Sequence, residues 1–307
     1  SAMTALQSLN QTNKMLEQTQ AAIATGYKVA DASDNAAYWS IATSMRSDNQ
    51  ALSTVQEALG LGSAKVDIAA NGLESSIEVV SEIKSKLVAA REPGVDKDKV
   101  QTEINELKNQ LLSISESSSF NGVNWLQNDG ATAAADQEIV ASFSRDSAGA
   151  VSVSTINIDV SGATLVGTDN ENVGLLTQSV NVSTGTNYRL IDMGAGVTTA
   201  ATGSVIELTA STSTASIDEM IQATDTIISN MTDAASDLGS ASKRVDLQQD
   251  FVGKLMDSIE SGISALVDAD LSEESTKLQA LQAQQQLGIQ ALSIANSNTN
   301  NILSLFR

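Results

Sequence analysis

Ile41, Met45, Leu52, Val55, Leu59, Val66, Ala69, Leu73, Val80, Ile83 and Leu87 fall on one alternating four–three register, with Asp48, Gly62 and Ser76 at the missing steps. An apolar repeat kept for so long fits only a helix whose stripe is covered by other helices of similar length. Ser33, Asp34 and Asn35 supply N-cap candidates before it, and Glu92, Pro93 and Gly94 supply the stop after it. The spacing predicts a helix over 36–91, about 80 Å long at ~1.5 Å per residue. A helix of that length draws its stability from packing rather than from propensity.

Candidate partners lie on both sides of a long interruption. Val100, Ile104, Leu107, Leu111 and Ile114 repeat the stripe after a tight connection. It returns at Ile217, Ile221, Thr224, Ile228, Met231, Ala235, Leu238, Val245, Val252, Leu255, Ile259 and Leu266. Trp39, Ile41, Leu52, Leu59, Leu73, Leu107, Leu238, Val245 and Leu255 are the expected packing residues of this rod. Between the stripes, residues 131–215 lose the heptads and gain Thr, Ser, Gly and Val. "VSVSTINIDV" (151–160) and "SVIELTAS" (204–211) read as half-buried strands. "SFNGVNWL" (119–126) offers an Asn-Gly turn between Phe120 and Trp125, a short-hairpin signal.

The two ends carry thinner stripes. Leu6, Leu9, Leu16 and Ile23 mark a first helix ending near Gly26, and Leu278, Leu281, Leu292, Ala295, Ile302 and Phe306 mark the last. Gln, Asn, Thr and Gly288 dilute both, so the pair buries little by itself and is expected to be completed by another chain. The fold class is mainly α with a β-containing insert: an elongated rod of long coiled-coil helices, paired N- and C-terminal helices and a small β-rich domain. The expected divisions are 1–30 with 267–307, 31–130 with 216–266, and 131–215.

The rest of the sequence removes chemistry rather than adding it. Aromatics are 3% of residues and proline occurs once, which suits extended Ala/Leu/Ile/Val seams better than an enzyme core. Cys and His are both absent, excluding disulfides, thiolate nucleophiles, the usual zinc ligands and the commonest neutral-pH base. Net charge is −20, with 10 basic against 16 acidic groups in 1–130 and 5 against 13 in 216–307, so neither nucleic acid nor an anionic membrane is an expected partner. No apolar run approaches the ~18 residues of a membrane span, and no secretory signal opens the sequence. Glu273–Glu274 and the pair Asp96, Asp98 read as solvated helix starts, where carboxylates favour the dipole, rather than as a cation site. Trp39 and Trp125 read as packing anchors. Gly60, Gly62, Gly72 and Gly94 form no phosphate loop, and no HExxH occurs. No cofactor, metal or catalytic residue is expected.

Three stretches together resemble the bacterial flagellins, and in particular those of soil and rhizobial alphaproteobacteria. "KVADASDNAAYWSIA" (28–42) is similar to the family's stretch from a basic residue through Asp-Asn-Ala-Ala into a helix. "SFNGVNWL" is similar to its Phe-Asn-Gly turn, and "NSNTNNILSLFR" (296–307) to its C-terminal ending. The resemblance covers roughly 1–130 and 216–307. It implies a secreted subunit, exported unfolded, that polymerises into the extracellular flagellar filament and gives swimming motility. It implies that Leu6, Leu9, Leu16, Ile23, Leu278, Leu281, Leu292, Ile302 and Phe306 form the inner-tube assembly interface. Its implied partners are further copies, other flagellins, an export chaperone, and cap and junction proteins. In the family, further residues precede the segment at which this sequence opens and take part in export and inner-tube packing. "SEIKSKL" (81–87) has Ile83 where flagellins seen by the vertebrate innate receptor carry an arginine, so weak or no recognition is expected. A hook–filament junction protein and a surface-binding homologue stand as alternatives, with a hydrolase further off.

Overall fold

In the computed structural model, residues 2–305 are described except 147, 183, 195 and 196, with the backbone alone described for Ala2 and for 295–305. The helices are α1 (Ala2–Thr25), α2 (Ala36–Ala90), α3 (Lys97–Ser117), α4 (Thr214–Val267) and α5 (Leu271–Leu305). Among the described residues between α3 and α4 there are nine short strands: β1 (Ser119–Phe120), β2 (Val123–Asn124), β3 (Gln127–Asn128), β4 (Gln137–Arg145), β5 (Val151–Ile158), β6 (Val166–Gly167), β7 (Val180–Asn181), β8 (Asn187–Arg189) and β9 (Ser204–Val205). The chain is thus mainly α with a β-containing insert. It forms two compact units, residues 52–253 and residues 1–51 with 254–307.

In the first unit α2 and α4 run antiparallel in one unbroken register. Gly60 faces Gln249, Asp67 accepts from Ser242, Lys84 pairs with Asp225 and Arg91 pairs with Asp218. Each step along α2 is matched by an equal step back along α4. Leu52, Val55, Leu59, Val66, Ala69, Leu73, Val80, Ile83 and Leu87 are all buried, as are Leu238 and Val245 opposite, whereas Leu107 and Leu255 are half-buried. Full burial of each large aliphatic side chain stabilises by ~1.5–3 kcal/mol, so this seam holds the unit together. On α4 the inward residue is Ile227, fully buried, rather than Ile228. The ion pairs across the seam are exposed and add little. α3 lies along α2, with Lys86 Nζ 2.7 Å from Glu103.

Two glycines of α2 act as notches. A Cβ on Gly62 would stand 2.5 Å from Ile139 Cγ2, and one on Gly72 would meet Ser118 and Leu126 Cδ1. The strand layer therefore reaches the helix backbone at both points. β1 and β2 form the expected Asn-Gly hairpin, with φ of 50° at Asn121 and 79° at Gly122. β4 and β5 form a longer antiparallel hairpin with a bulge between Val140 and Ser142. There the Ala141 carbonyl turns to accept a bond from Gln248 Nε2 of α4. β3 pairs with β6 in parallel, and β7–β8–β9 make a three-stranded sheet.

Leu126, Leu165, Leu176, Leu190 and Ile206 are fully buried and form the inside of the insert. Side chains of α3 tie it down: Lys108 Nζ donates to the Ile206 carbonyl, Ser115 Oγ to the Leu126 carbonyl and Lys97 Nζ to the Thr212 carbonyl. The run 204–211 stops being a strand at Val205 for the same reason. The Leu208 amide is taken by Gln101 Oε1 of α3, so no neighbouring strand can receive it.

Candidate assembly surface

The second unit is built from a corner and a helix pair. At the corner, Asp34 Oδ2 accepts the Ala30 and Asp31 amides, and Asn35 Oδ1 accepts the Tyr38 amide at 3.1 Å, which caps α2. The Ser33 hydroxyl and amide hold the Asp31 carboxyl below its ordinary range. Lys28 and Val29 donate to the Val267 carbonyl, Ala269 donates to the Gly26 carbonyl, and Lys28 Nζ reaches the Ala265 carbonyl. Val29, Ala42, Ile263 and Val267 form a small buried cluster, with Trp39, Met45, Ile259 and Leu266 packed on it. Trp39 is thus an anchor of this corner. Its neighbours point elsewhere: Tyr38 is 45% and Ile41 49% exposed. The wall at this level comes from 29 and 259–267, which selects Ala42 in place of the heptad position at Ile41.

The terminal helices α1 and α5 pack together. Gln285 donates to Asn13 across the pair, and Gly288 lets Leu9 approach, since a Cβ there would stand 3.1 Å from Leu9 Cδ1. Few side chains are fully enclosed: Thr12, Thr19 and Leu281 are buried, while Leu9, Leu16, Ile23, Leu278 and Leu292 are half-buried. Leu6 is exposed. Of Ile302 only the backbone is described, within α5, and Phe306 lies outside the described residues.

The apolar residues that the pair leaves outside are as telling. Met3 on α1 and Leu271, Leu287, Ile289 and Ile294 on α5 are each more than half exposed. Leu281, Gly288 and Leu292 mark the face of α5 turned to α1. Leu287 lies on its far side, and Ile289, two residues on and so roughly 200° round the helix, on a flank. An α-helix that is apolar on several sides but covered on one has more surface to bury. The stripe at Leu278, Leu281 and Leu292 marks only the face turned to α1 and carries no signal for these residues.

Among the described residues no group of three or more His, Cys, Asp or Glu could hold a metal ion, and no helix is long and apolar enough to cross a membrane. Residues 1–131 match the bacterial flagellin N-terminal helical region, and residues 221–306 the bacterial flagellin C-terminal helical region. Flagellin C of Rhizobium meliloti (strain 1021) is 51% identical over 314 residues, covering 100% of this chain and 97% of that protein. Flagellin A of the same strain is 44% identical over 386 residues, covering 100% and 98%. A flagellin of Brucella melitensis biotype 1 is 41% identical over 312 residues, covering 100% and 97%. With both helical regions matched and relatives aligned end to end, the chain belongs to the bacterial flagellin family, whose members are structural subunits of the flagellar filament and not enzymes.

Proposed function

We propose that this chain polymerises through its terminal helix pair, so that α1 and α5 line the inner tube of an extracellular flagellar filament. The observation that carries this is the apolar surface of α5 on sides that α1 does not cover, at Leu271, Leu287 and Ile289. Covering such side chains stabilises by ~1.5–3 kcal/mol each, and a non-closing, head-to-tail contact repeats that gain at every subunit. In this reading Leu6, Leu9, Leu16, Ile23, Leu278, Leu281, Leu292, Ile302 and Phe306 belong to the inner-tube interface, and 131–215 is a surface domain of the filament. The subunit is secreted through the flagellar channel with an export chaperone, meets cap and junction proteins at the filament ends, and is weakly recognised or ignored by the innate receptor.

The test is a Leu287→Asp/Ile289→Asp double variant. Both sites are exposed, so the monomer should keep its circular dichroism and unfolding midpoint. Two carboxylates placed at the subunit contact should stop growth on filament seeds, raising the critical concentration more than ~100-fold. Filaments of ordinary length at the ordinary concentration would refute the assignment.

A further inference from the structure

β4 and β5 form a hairpin whose base is fixed and whose outer edge is open. At the base, Ile139 fills the Gly62 notch of α2 and the Ala141 carbonyl accepts from Gln248 of α4, so β4 is the strand held against the helices. β5 is the outer one. Its residues 151–155 are all exposed, Val151 by 51% and Val153 by 56%, and among the described residues it pairs with β4 alone. The Asp146 amide donates to the Ala150 carbonyl, which makes that pair a hydrogen-bonded one. Such pairs alternate along an antiparallel ladder. Ser152 and Ser154 therefore bond inward to Ser144 and Ser142, while the amides and carbonyls of Val151, Val153 and Thr155 point away from β4. Side chains alternate too: Ser142 with Ser154 and Ser144 with Ser152 are hydroxyl pairs on one face, and Phe143 with Val153 lie on the other. An open edge is normally guarded by lysine, proline or a bulge. β5 has none of these, and "VSVSTINI" (151–158) carries no charge in a chain of net charge −20.

We propose that this edge pairs, antiparallel and centred on Val153, with the same edge of a second copy of the chain, and that the pairing joins filaments side by side. The occupant is a second copy because the edge is its own complement. A two-fold axis at Val153 sets Val153 opposite Val153 and Val151 opposite Thr155 of the second copy. These are the residues whose backbone groups point outward, so about six hydrogen bonds form. The same axis continues both faces. Phe143 and Val153 meet their counterparts in one apolar row, and Ser152 meets Ser154 of the second copy in the hydroxyl row. Two chains of like net charge repel, and an uncharged strand is where they approach at least cost. A five-residue edge buries well below the ~1,200 Å² of a stable complex, so two soluble chains associate weakly. The side-by-side role rests on the filament reading above. Subunits of one filament are related by a rotation with a translation, which is not a two-fold, and the hairpin turns with the rod because its base is fixed on α2 and α4. Paired edges therefore belong to two filaments, where many copies face one another and weak contacts add.

The chain contains no cysteine, so an introduced thiol reports the register directly. At a hydrogen-bonded pair the Cα atoms lie ~5.5 Å apart, within reach of a disulfide, whereas the two copies of Val151 would be roughly 14 Å apart. In a concentrated solution of the full chain oxidised with diamide, Val153→Cys should yield covalent dimer and Val151→Cys should stay monomeric. Val151→Cys mixed with Thr155→Cys should cross-link. Equal yields from Val153→Cys and Val151→Cys, or none from Val153→Cys, would overturn the pairing. In electron micrographs, wild-type filaments should lie side by side. Val153→Lys changes an exposed residue, so it should keep the circular dichroism and critical concentration of wild type yet give single filaments. Val153→Lys filaments that bundle like wild type, or wild-type filaments that stay single, would overturn the role between filaments. If the chain did not polymerise at all, the filament reading would fall, and the cross-linking pattern would still decide the edge.

Discussion

Gly62→Ala sets two known effects against each other at one residue. Gly62 lies in the middle of α2, where alanine is favoured over glycine by ~1 kcal/mol. It also lies on the inward face between Leu59 and Val66, and the added Cβ would stand 2.5, 2.6 and 3.0 Å from Ile139 Cγ2, Cδ1 and Cγ1. Ile139 is buried on β4 and stiff at its branched carbon, so the clash cannot be relieved at a flexible tip. Overpacking of this kind costs ~1–3 kcal/mol. Gly239→Ala on α4 is the control, because nothing lies within 4 Å of its new Cβ. The helix gain is common to both variants, so their difference isolates the steric term. Gly239→Ala should raise the melting temperature by about 2–4 °C, and Gly62→Ala should be less stable than it by ~1–3 kcal/mol in equilibrium urea unfolding. Truncation to Ile139→Ala should remove most of that difference when combined with Gly62→Ala. Equal stabilities for the two alanine variants would refute the notch.

The insert carries the other strong dependences. Glu171 is fully buried and accepts from Arg189, the Met193 amide and the Ala201 amide, so Arg189→Met leaves a buried carboxylate without its cation and should cost ~3–5 kcal/mol in urea unfolding. Burial pushes Lys108 down to about 8 from 10.5, against the opposing pull of Glu207 and Asp192. The folded state therefore sheds this proton before the unfolded state does, and stability should rise with pH from about 8 to 10.5. The rise should be steeper in wild type than in Lys108→Met, as read from unfolding midpoints across that window. Asn35→Ala removes the cap on the Tyr38 amide and should cost ~1 kcal/mol, measurable as a lowered unfolding midpoint.

Where local chemistry dictates a feature, the residues announce it. Asn35 and the Glu92-Pro93-Gly94 stop bracket α2 to within a residue of its observed end, because caps and breakers act on their own backbone. Asn121-Gly122 marks a turn whose positive φ values those two residues tolerate. The seam from Leu52 to Leu87 is readable because a helix buries every third or fourth residue against any long partner. Features that depend on what lies opposite were not readable. Ala42 replaces Ile41 at the corner because residues 29 and 259–267 supply the wall there. The run 204–211 looks like a strand, yet its Leu208 amide goes to a glutamine of α3. Glu171, Arg189 and Lys108 are polar in a sequence rich in surface charge, and only their partners explain their burial.

By itself the sequence determined the long helices, their caps, the β-containing insert and membership of a filament-forming family. The helices, caps and insert follow from periodicity and turn chemistry, which act within a few residues of chain, and the family from the resemblance of three stretches to known flagellins. Only the tertiary structure decided the register of α2 on α4, the glycine notches that seat the insert, and the sides of α5 left uncovered. Those depend on which surfaces meet, and a helix stripe records that a face is buried without recording by what.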